Sequence, residues 1–528
     1  MVFFLSILPI GLLIYFMVKR NSLPSYIALP LIALLTYFLQ AFYFETDFTR
    51  LNANVIAGLI ATQTPITIIF GAILFNRMME VSGSTDILRK WLANINPNPV
   101  AQIMIIGWAF TFMIEGASGF GTPAAIAAPI LMGLGFKPLQ VAMLALVMNS
   151  VPVSFGAVGT PTWFGFGALG LSDDVVLELG QKSAFIHFVA AWIIPLFALR
   201  FLVTWKQIKQ NLVFIYLSIL SCTIPYFLLA QINYEFPALV GGAVGLLISI
   251  VSANKGLGIH QEGSLASSSE NVTSQHVMKA LFPTMMLIMI LIVTRIHQLG
   301  IKQLLNDGTT WFSVSLGGLG EFGVSQALIL SLNNILGQGI NESYKTLYVP
   351  SLIPFIVTVI VSIIVFKLTS RQTQTIVSTT YHQTKKPFFA LLGALVMVKL
   401  MLVGNDNYDA MVITIGKTFA DVTGDKWIYF SSYLGAIGAF FSGSNTVSNL
   451  TFGGIQLSIA ETTGMSIPLI LALQSVGGAM GNMVCLNNII AVCTVLNVSR
   501  QEGSILKRTV LPMFLYGVIA ALVAVVIY

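Results

Sequence analysis

Apolar residues run along this chain in blocks of the length that crosses a bilayer, and short polar stretches separate one block from the next. About 20 apolar residues, rising about 1.5 Å each as a helix, cover the hydrocarbon core. Uninterrupted blocks lie near Val2–Val18, Tyr26–Phe44, Val55–Met79, Ala184–Val203, Val213–Leu229, Pro237–Val251, Lys279–Thr294, Val349–Phe366, Phe388–Val403 and Val510–Ile527. Two longer apolar stretches, Met113–Trp163 and Trp427–Val498, are cut repeatedly by Gly, Pro, Ser and Thr. The pattern predicts an all-α polytopic membrane protein of about 12 to 14 transmembrane helices.

The broken stretches differ from simple anchors. Irregular backbone at bilayer depth survives only where protein or a water-filled cavity covers its amides and carbonyls. Each stretch carries a small-residue loop (GASGFGTPAA; GSNTVSNLTFGG), then an apolar piece opening near a proline (GFKPLQVAMLALVMNS; GMSIPLILALQSVGG), then a second glycine-rich break (GAVGTP; GGAMGNM). The first runs from the inside after Lys90 to the outside by Asp173, and the second runs from the outside near Asp425 to the inside at Arg500. The same parts in opposite directions predict inverted-topology repeats, built from discontinuous helices or re-entrant hairpins, with a site where they meet. A Ser-rich polar linker, residues 252–278, divides a first half (1–251) from a second (279–528).

Orientation follows from the loops. Lys19, Arg89, Lys206, Lys255, Lys385 and Lys507 mark loops on the cytoplasmic side, which leaves both termini outside. The piece Ser84–Pro99 reads as an interfacial or solvated loop helix, and the acidic residues Asp173, Asp174 and Glu178 as an outer loop. Residues 298–348 are mixed in character, outside or re-entering, and their helices are not resolved by the pattern. With 56% hydrophobic and 9% charged residues and a mean hydropathy of +0.86, the chain has too few charges to cover a water-soluble surface. Its +6 net charge sits in those short loops rather than on one face, which fits topology control and not nucleic-acid binding. Cys222, Cys485 and Cys493 show neither zinc-site nor disulfide spacing. The first block lacks a preceding basic residue and a small-residue cleavage site, so it reads as a retained helix.

The candidate chemistry is anion binding. Glycine amides and helix N-termini favour negative charge in a dry cavity. The loops around Gly116–Thr122 and Gly443–Thr451 supply such donors through Gly116, Gly119 and Gly121, and Ser118, Thr122, Ser154, Ser444, Asn445, Thr446, Ser448, Asn449 and Asn482 add side chains able to read a carboxylate and an adjacent hydroxyl. Any one Ser or Thr in a span more often bonds its own helix, so weight rests on the cluster. Glu115 is the acid in the first broken stretch. A carboxyl shielded from water favours its neutral form, which suits it to carry a proton with an anion. His187 reads as a packed, ring-bonded side chain, and Lys399 as one that snorkels to the surface.

The runs Glu115–Phe136 (EGASGFGTPAAIAAPILMGLGF) and Asn149–Trp163 (NSVPVSFGAVGTPTW), with Ser442–Gly454 (SGSNTVSNLTFGG), resemble the L-lactate permeases, carriers of lactate and glycolate with protons across bacterial membranes. The resemblance implies proton-coupled uptake of a small 2-hydroxymonocarboxylate at a multi-pass cell-membrane protein, without an organic cofactor or metal. Sodium coupling or another small anion is the alternative, and the oligomeric state is left open. Two positions depart from the family pattern, which implies an acid at Asn445 and a lysine at Asn482. GASG, Gly116–Gly119, also resembles the intramembrane rhomboid proteases, with Ser118 as nucleophile and His187 as base, but that resemblance stops at four residues and leaves the second broken stretch unexplained, so a carrier and not an enzyme is expected. GLGEFG, Gly318–Gly323, fits a dinucleotide fingerprint but lacks its strand and helix context, and the sequons at Asn271 and Asn341 carry no weight.

The orientation is testable by cysteine labelling. In intact cells a membrane-impermeant thiol reagent is expected to modify a cysteine placed at Asp406 and to spare one at Lys385; the reverse pattern inverts the topology.

Overall fold

The computed structural model describes residues 1–18, 23–119, 122–260, 273–295, 299–496, 498 and 501–528. Lys19, Arg20, Gly121, His297, Arg500, residues 261–272 of the linker with its Asn271 sequon, and the side chain of Thr122 lie outside the described residues. Among the described residues, eight helices are long and apolar enough to cross a membrane: Ser25–Phe42, Phe48–Val81, Pro99–Ser118, Leu212–Ala230, Pro237–Asn254, Ser274–Arg295, Ile467–Val484 and Glu502–Ile527. A ninth is formed if the pair Pro138–Met148 and Val151–Leu169, bent by 46°, counts as one span. Val2–Met17, Ser351–Phe366 and Leu486–Val495 are shorter apolar helices. The chain is thus a mostly helical, multi-pass membrane protein with discontinuous helices.

Three local departures from the sequence pattern have physical causes. The span expected near Ala184–Val203 begins earlier, as helix Asp173–Ala190, because Asp173 and Asp174 occupy its first turn, where the helix dipole favours acids. It stops before Pro195, which opens a separate short helix, Ile194–Leu199. The third is the region left unresolved after residue 298, which adds strands to an otherwise helical chain: β1 (Thr310–Ser315), β2 (Glu321–Ser325), β3 (Ile329–Asn333) and β4 (Glu342–Lys345) pair as an antiparallel sheet in that order. GLGEFG supplies the turn between β1 and β2 and most of β2, so it does have a strand, but it belongs to a hairpin and opens no helix.

Two units divide the chain, and each takes one stretch from either side of the linker. The first comprises Met1–Thr85 and Met278–Thr418. Its axis is helix Ser370–Met401, opened by a capping box in which the Thr369 hydroxyl accepts from the Gln372 amide at 3.3 Å and the Gln372 side chain accepts from the Thr369 amide at 2.8 Å. Helices Ser25–Phe42, Phe48–Ala61 and Gln63–Val81 pack along it. Gln40 reaches across to donate to the carbonyls of Leu400 (2.9 Å) and Val403 (3.2 Å), satisfying the end of the long helix. Gly393 lies against the backbone of Leu29 and Pro30, a close approach that only a residue without a Cβ allows. Ile335, Leu332, Leu336 and Ile340 of the sheet region pack on Ala53 and Ala57. Lys399 does not snorkel: its ammonium pairs with Glu342 of β4, and both side chains are largely buried.

The second unit comprises Asp86–Val277 and Phe419–Tyr528 and holds both broken stretches. Helix Ser431–Ser442 packs on Ile467–Gly481 through Gly435, Gly477 and Gly481, each against a backbone carbonyl of the facing helix. Gln456 fixes the same region: its Oε1 accepts from Trp427 Nε1 (2.7 Å) and the Ser431 hydroxyl (3.0 Å), and its Nε2 donates to Gln474 Oε1 (3.0 Å).

Gly393→Val is expected to cost about 1–3 kcal/mol by overpacking a backbone contact. Gly11→Val, at a position with no neighbour within 4 Å, is expected to be tolerated. Monodisperse yield in detergent after size exclusion separates the two; equal yields would refute the close packing at Gly393.

Candidate functional site

Among the described residues, the two broken stretches of the second unit carry four small-residue or strained breaks, each with a local cause. Thr111–Ser118 follows a fully buried π-helical segment, Ile103–Phe110, and ends at Gly119, whose φ of 57° is open to glycine. The Gly119 amide donates to Glu115 O at 3.0 Å, and a Cβ at Gly119 would lie 2.9 Å from that of Ala157. The second break follows the 3-10 turn Val151–Phe155: Ala157 (φ 44°), Val158 (φ 57°) and Gly159 (φ 69°) are all left-handed, a conformation that costs a non-glycine roughly 1–2 kcal/mol. In the second stretch, Ser431–Ser442 ends at Gly443 (φ 74°) and Ser444 caps the next helix, Asn445–Thr463, accepting from the Val447 amide at 3.3 Å. Ile467–Gly481 passes through a short turn at Asn482–Val484 and an extended Cys485 before Leu486–Val495 begins.

All four breaks line one cleft. It is bounded by Glu115, Gly119, Val153, Gly156, Ala157, Pro161, Gly443, Ser444, Asn445, Thr446 and Asn482, and encloses about 260 Å³ of empty space, its open mouth included. Glu115 is the one ionisable residue among the described lining. It is buried, its Oε2 accepts from Asn149 Nδ2 at 3.1 Å, and its Oε1 lies so close under Gly156 that any Cβ there would strike it. The first turn of helix Asn445–Thr463 also borders the cleft; its backbone N–H groups have no intrahelical acceptor, and that of Val447 is taken by the Ser444 side chain. Asn445 is 2% exposed, and neither polar atom of its carboxamide has a hydrogen-bond partner among the described residues; Asn482 Oδ1 is likewise unpartnered.

The predicted residues divide into two groups. Glu115, Gly119, Ser444, Asn445, Thr446 and Asn482 line the cleft. Of those that do not, Gly116 packs on Leu239 and Ser118 donates to Ile114 O at 3.0 Å. Ser448 donates to Gly435 O at 2.7 Å and accepts from Gln474 at 3.0 Å, while Asn449 donates to Pro161 O at 3.0 Å. Ser154 belongs to a buried polar chain: its hydroxyl meets His187 Nε2 (2.8 Å) and accepts from Ser475 (3.0 Å), and His187 Nδ1 meets the Tyr516 hydroxyl at 2.5 Å. With both ring nitrogens engaged there, His187 is packed and bonded and does not serve Ser118 as base. Val153, Gly156, Ala157, Pro161 and the Glu115 partner Asn149 are site residues that the sequence pattern does not single out, although GAVGTP reads as a break, and Gly443 enters only as the start of a donor loop.

A family model for L-lactate permease matches residues 2–528. The chain belongs to the L-lactate permease family. A Haemophilus influenzae protein bearing the L-lactate permease name is 63% identical over 520 residues, 98% of this chain and 97% of that one. The L-lactate permease of Escherichia coli K12 is 25% identical over 544 residues (98% and 95% of the two chains), and the glycolate permease of the same strain 23% identical over 519 (92% and 89%). Among solved structures, the MtrF pump of Neisseria gonorrhoeae is 13% identical with a TM-score of 0.47, covering 98% of this chain and 96% of its own, and the YdaH transporter of Alcanivorax borkumensis 12% identical with a TM-score of 0.43, covering 88% and 86%. Family membership makes the chain a transporter, and the cleft is where its broken helices meet.

Gly156→Ala is expected to abolish transport while leaving folded yield intact, because the added methyl displaces the Glu115 carboxyl. Uptake into proteoliposomes alongside size-exclusion behaviour checks this; wild-type uptake in the variant would show that the carboxyl position is immaterial.

Proposed function

We propose that this permease takes up L-lactate, or a closely related small 2-hydroxymonocarboxylate, together with a proton across the bacterial cell membrane. The observation that carries the reading is the convergence of all four breaks on a cleft whose one described ionisable residue is Glu115. The N-terminal turn of helix Asn445–Thr463 offers donors to a carboxylate. Glu115 lies across the same small space, where an unprotonated carboxylate and an incoming anion repel at low dielectric. Protonation of Glu115 removes that repulsion, so anion and proton enter together.

Energetics favour the same pairing. Inward movement of one negative charge against an inside-negative potential costs about 2.3 kcal/mol per 100 mV, and a co-transported proton cancels it. Each half of the chain contributes one pair of breaks to the second unit, and we read the two broken stretches as an inverted repeat with the cleft between them.

Glu115→Gln retains size and hydrogen bonding while removing the exchangeable proton. In proteoliposomes loaded with unlabelled lactate it is expected to catalyse exchange with external labelled lactate, yet to lose accumulation driven by an imposed pH gradient. Undiminished uphill uptake would eliminate Glu115 as the proton carrier.

A further inference from the structure

We propose that Asn445 selects 2-hydroxy acids over their 2-oxo and unsubstituted counterparts, pairing the two polar atoms of its carboxamide with the carboxylate and the adjacent hydroxyl of one substrate molecule. The inference rests on the transport reading of the cleft and adds what distinguishes one small acid from another there.

Asn445 stands at the first position of helix Asn445–Thr463, is 2% exposed and lines the cleft, and both Oδ1 and Nδ2 are without a partner among the described residues. Such a group is unusual, since buried polar side chains nearly always find partners and an unmade bond costs about 1–3 kcal/mol. Ser448, Asn449 and Gln474, one turn further along or on the facing helix, are by contrast bonded to one another. Asn445 Oδ1 lies against Gly478, so close that a Cβ there would run into it. The carboxamide is therefore seated, buried and unpaired at the edge of the space the substrate enters.

The chemistry of the two atoms sets the preference. A carboxylate offers only acceptors, so it satisfies Nδ2 and leaves Oδ1 unpaired. A 2-hydroxy acid adds a donor on the neighbouring carbon, which satisfies Oδ1. A 2-oxo acid places a second acceptor there, lone pair against lone pair, and an unsubstituted acid places a methylene. Exchanging the amide oxygen and nitrogen leaves the argument intact, since one donor and one acceptor remain. Sites that pair with a substrate hydroxyl reject analogues lacking it because their own buried group is then stranded.

The test uses the full-length protein in proteoliposomes, with labelled L-lactate uptake competed by unlabelled L-lactate, glycolate, pyruvate and propionate, and ligand-induced thermal shifts in detergent as a readout independent of transport. Wild type is expected to favour L-lactate and glycolate over pyruvate and propionate by about tenfold or more. Asn445→Leu, which removes both atoms at similar volume, and Asn445→Ala are each expected to bring the ratio close to one. Equal competition by all four acids in the wild type, or an unchanged ratio in either folded variant, overturns the proposal while leaving lactate transport standing. Absence of lactate uptake and of any lactate thermal shift in the wild type would overturn the transport reading and this one with it. Should neither variant fold, the wild-type ratio alone decides.

Discussion

A peptide group in an apolar interior has to find its hydrogen-bond partner inside the protein, and the second unit is built around that demand. Each helix break frees carbonyls and amides that would cost several kcal/mol if left bare. Side chains take them up one by one. Thr162 donates to Ser154 O at 2.8 Å, Trp163 Nε1 to Val158 O at 3.0 Å, Tyr226 to Val151 O at 3.3 Å, Asn449 to Pro161 O at 3.0 Å, and Asn488 to Asn482 O at 3.3 Å. The high Ser, Thr and Asn content of these stretches is thus mainly structural, and it frees the cleft lining for other work.

Backbone conformation at the second break shows the same economy under strain. Ala157 and the β-branched Val158 are held left-handed, which persists only where the surroundings over-determine it. Here the surroundings are specific: Gly119 packs on Ala157, Gly159 lies against the backbone of Tyr234 and Glu235, and the Ala157 and Val158 carbonyls accept from Thr160 and Trp163. The turn thereby places Gly156 directly over the Glu115 carboxyl. Strain in one loop and the position of an acid in another are a single arrangement.

Electrostatically the cleft is spare. One carboxyl, held by Asn149, lines the cleft together with two neutral carboxamides. Positions 445 and 482 carry neutral amides, so the described lining holds dipoles and no fixed ion pair. Desolvating a buried ion pair is expensive, and neutral groups avoid that cost while still discriminating by hydrogen-bond complementarity.

Much of this was legible in the sequence for a physical reason. Hydropathy fixes which segments sit in lipid, and Gly, Pro and Ser inside such segments announce broken helices, so the multi-pass helical class, the two irregular stretches and the family followed from local composition and motif. Glu115, Gly119, Ser444, Asn445, Thr446 and Asn482 could be named because each lies in or beside a break. Tertiary structure decided which polar side chains near a break turn toward the cleft and which turn back to the backbone, since Ser118 and Ser444 look alike in sequence yet one bonds its own helix and the other caps a helix at the cleft. It also decided what depends on partners distant in the chain: the Lys399–Glu342 pair, the Ser154–His187–Tyr516 chain, and the sheet at residues 310–345, whose strands carry no consistent alternation because most of their side chains are exposed. Local pattern determines what a segment is; only the fold determines what it meets.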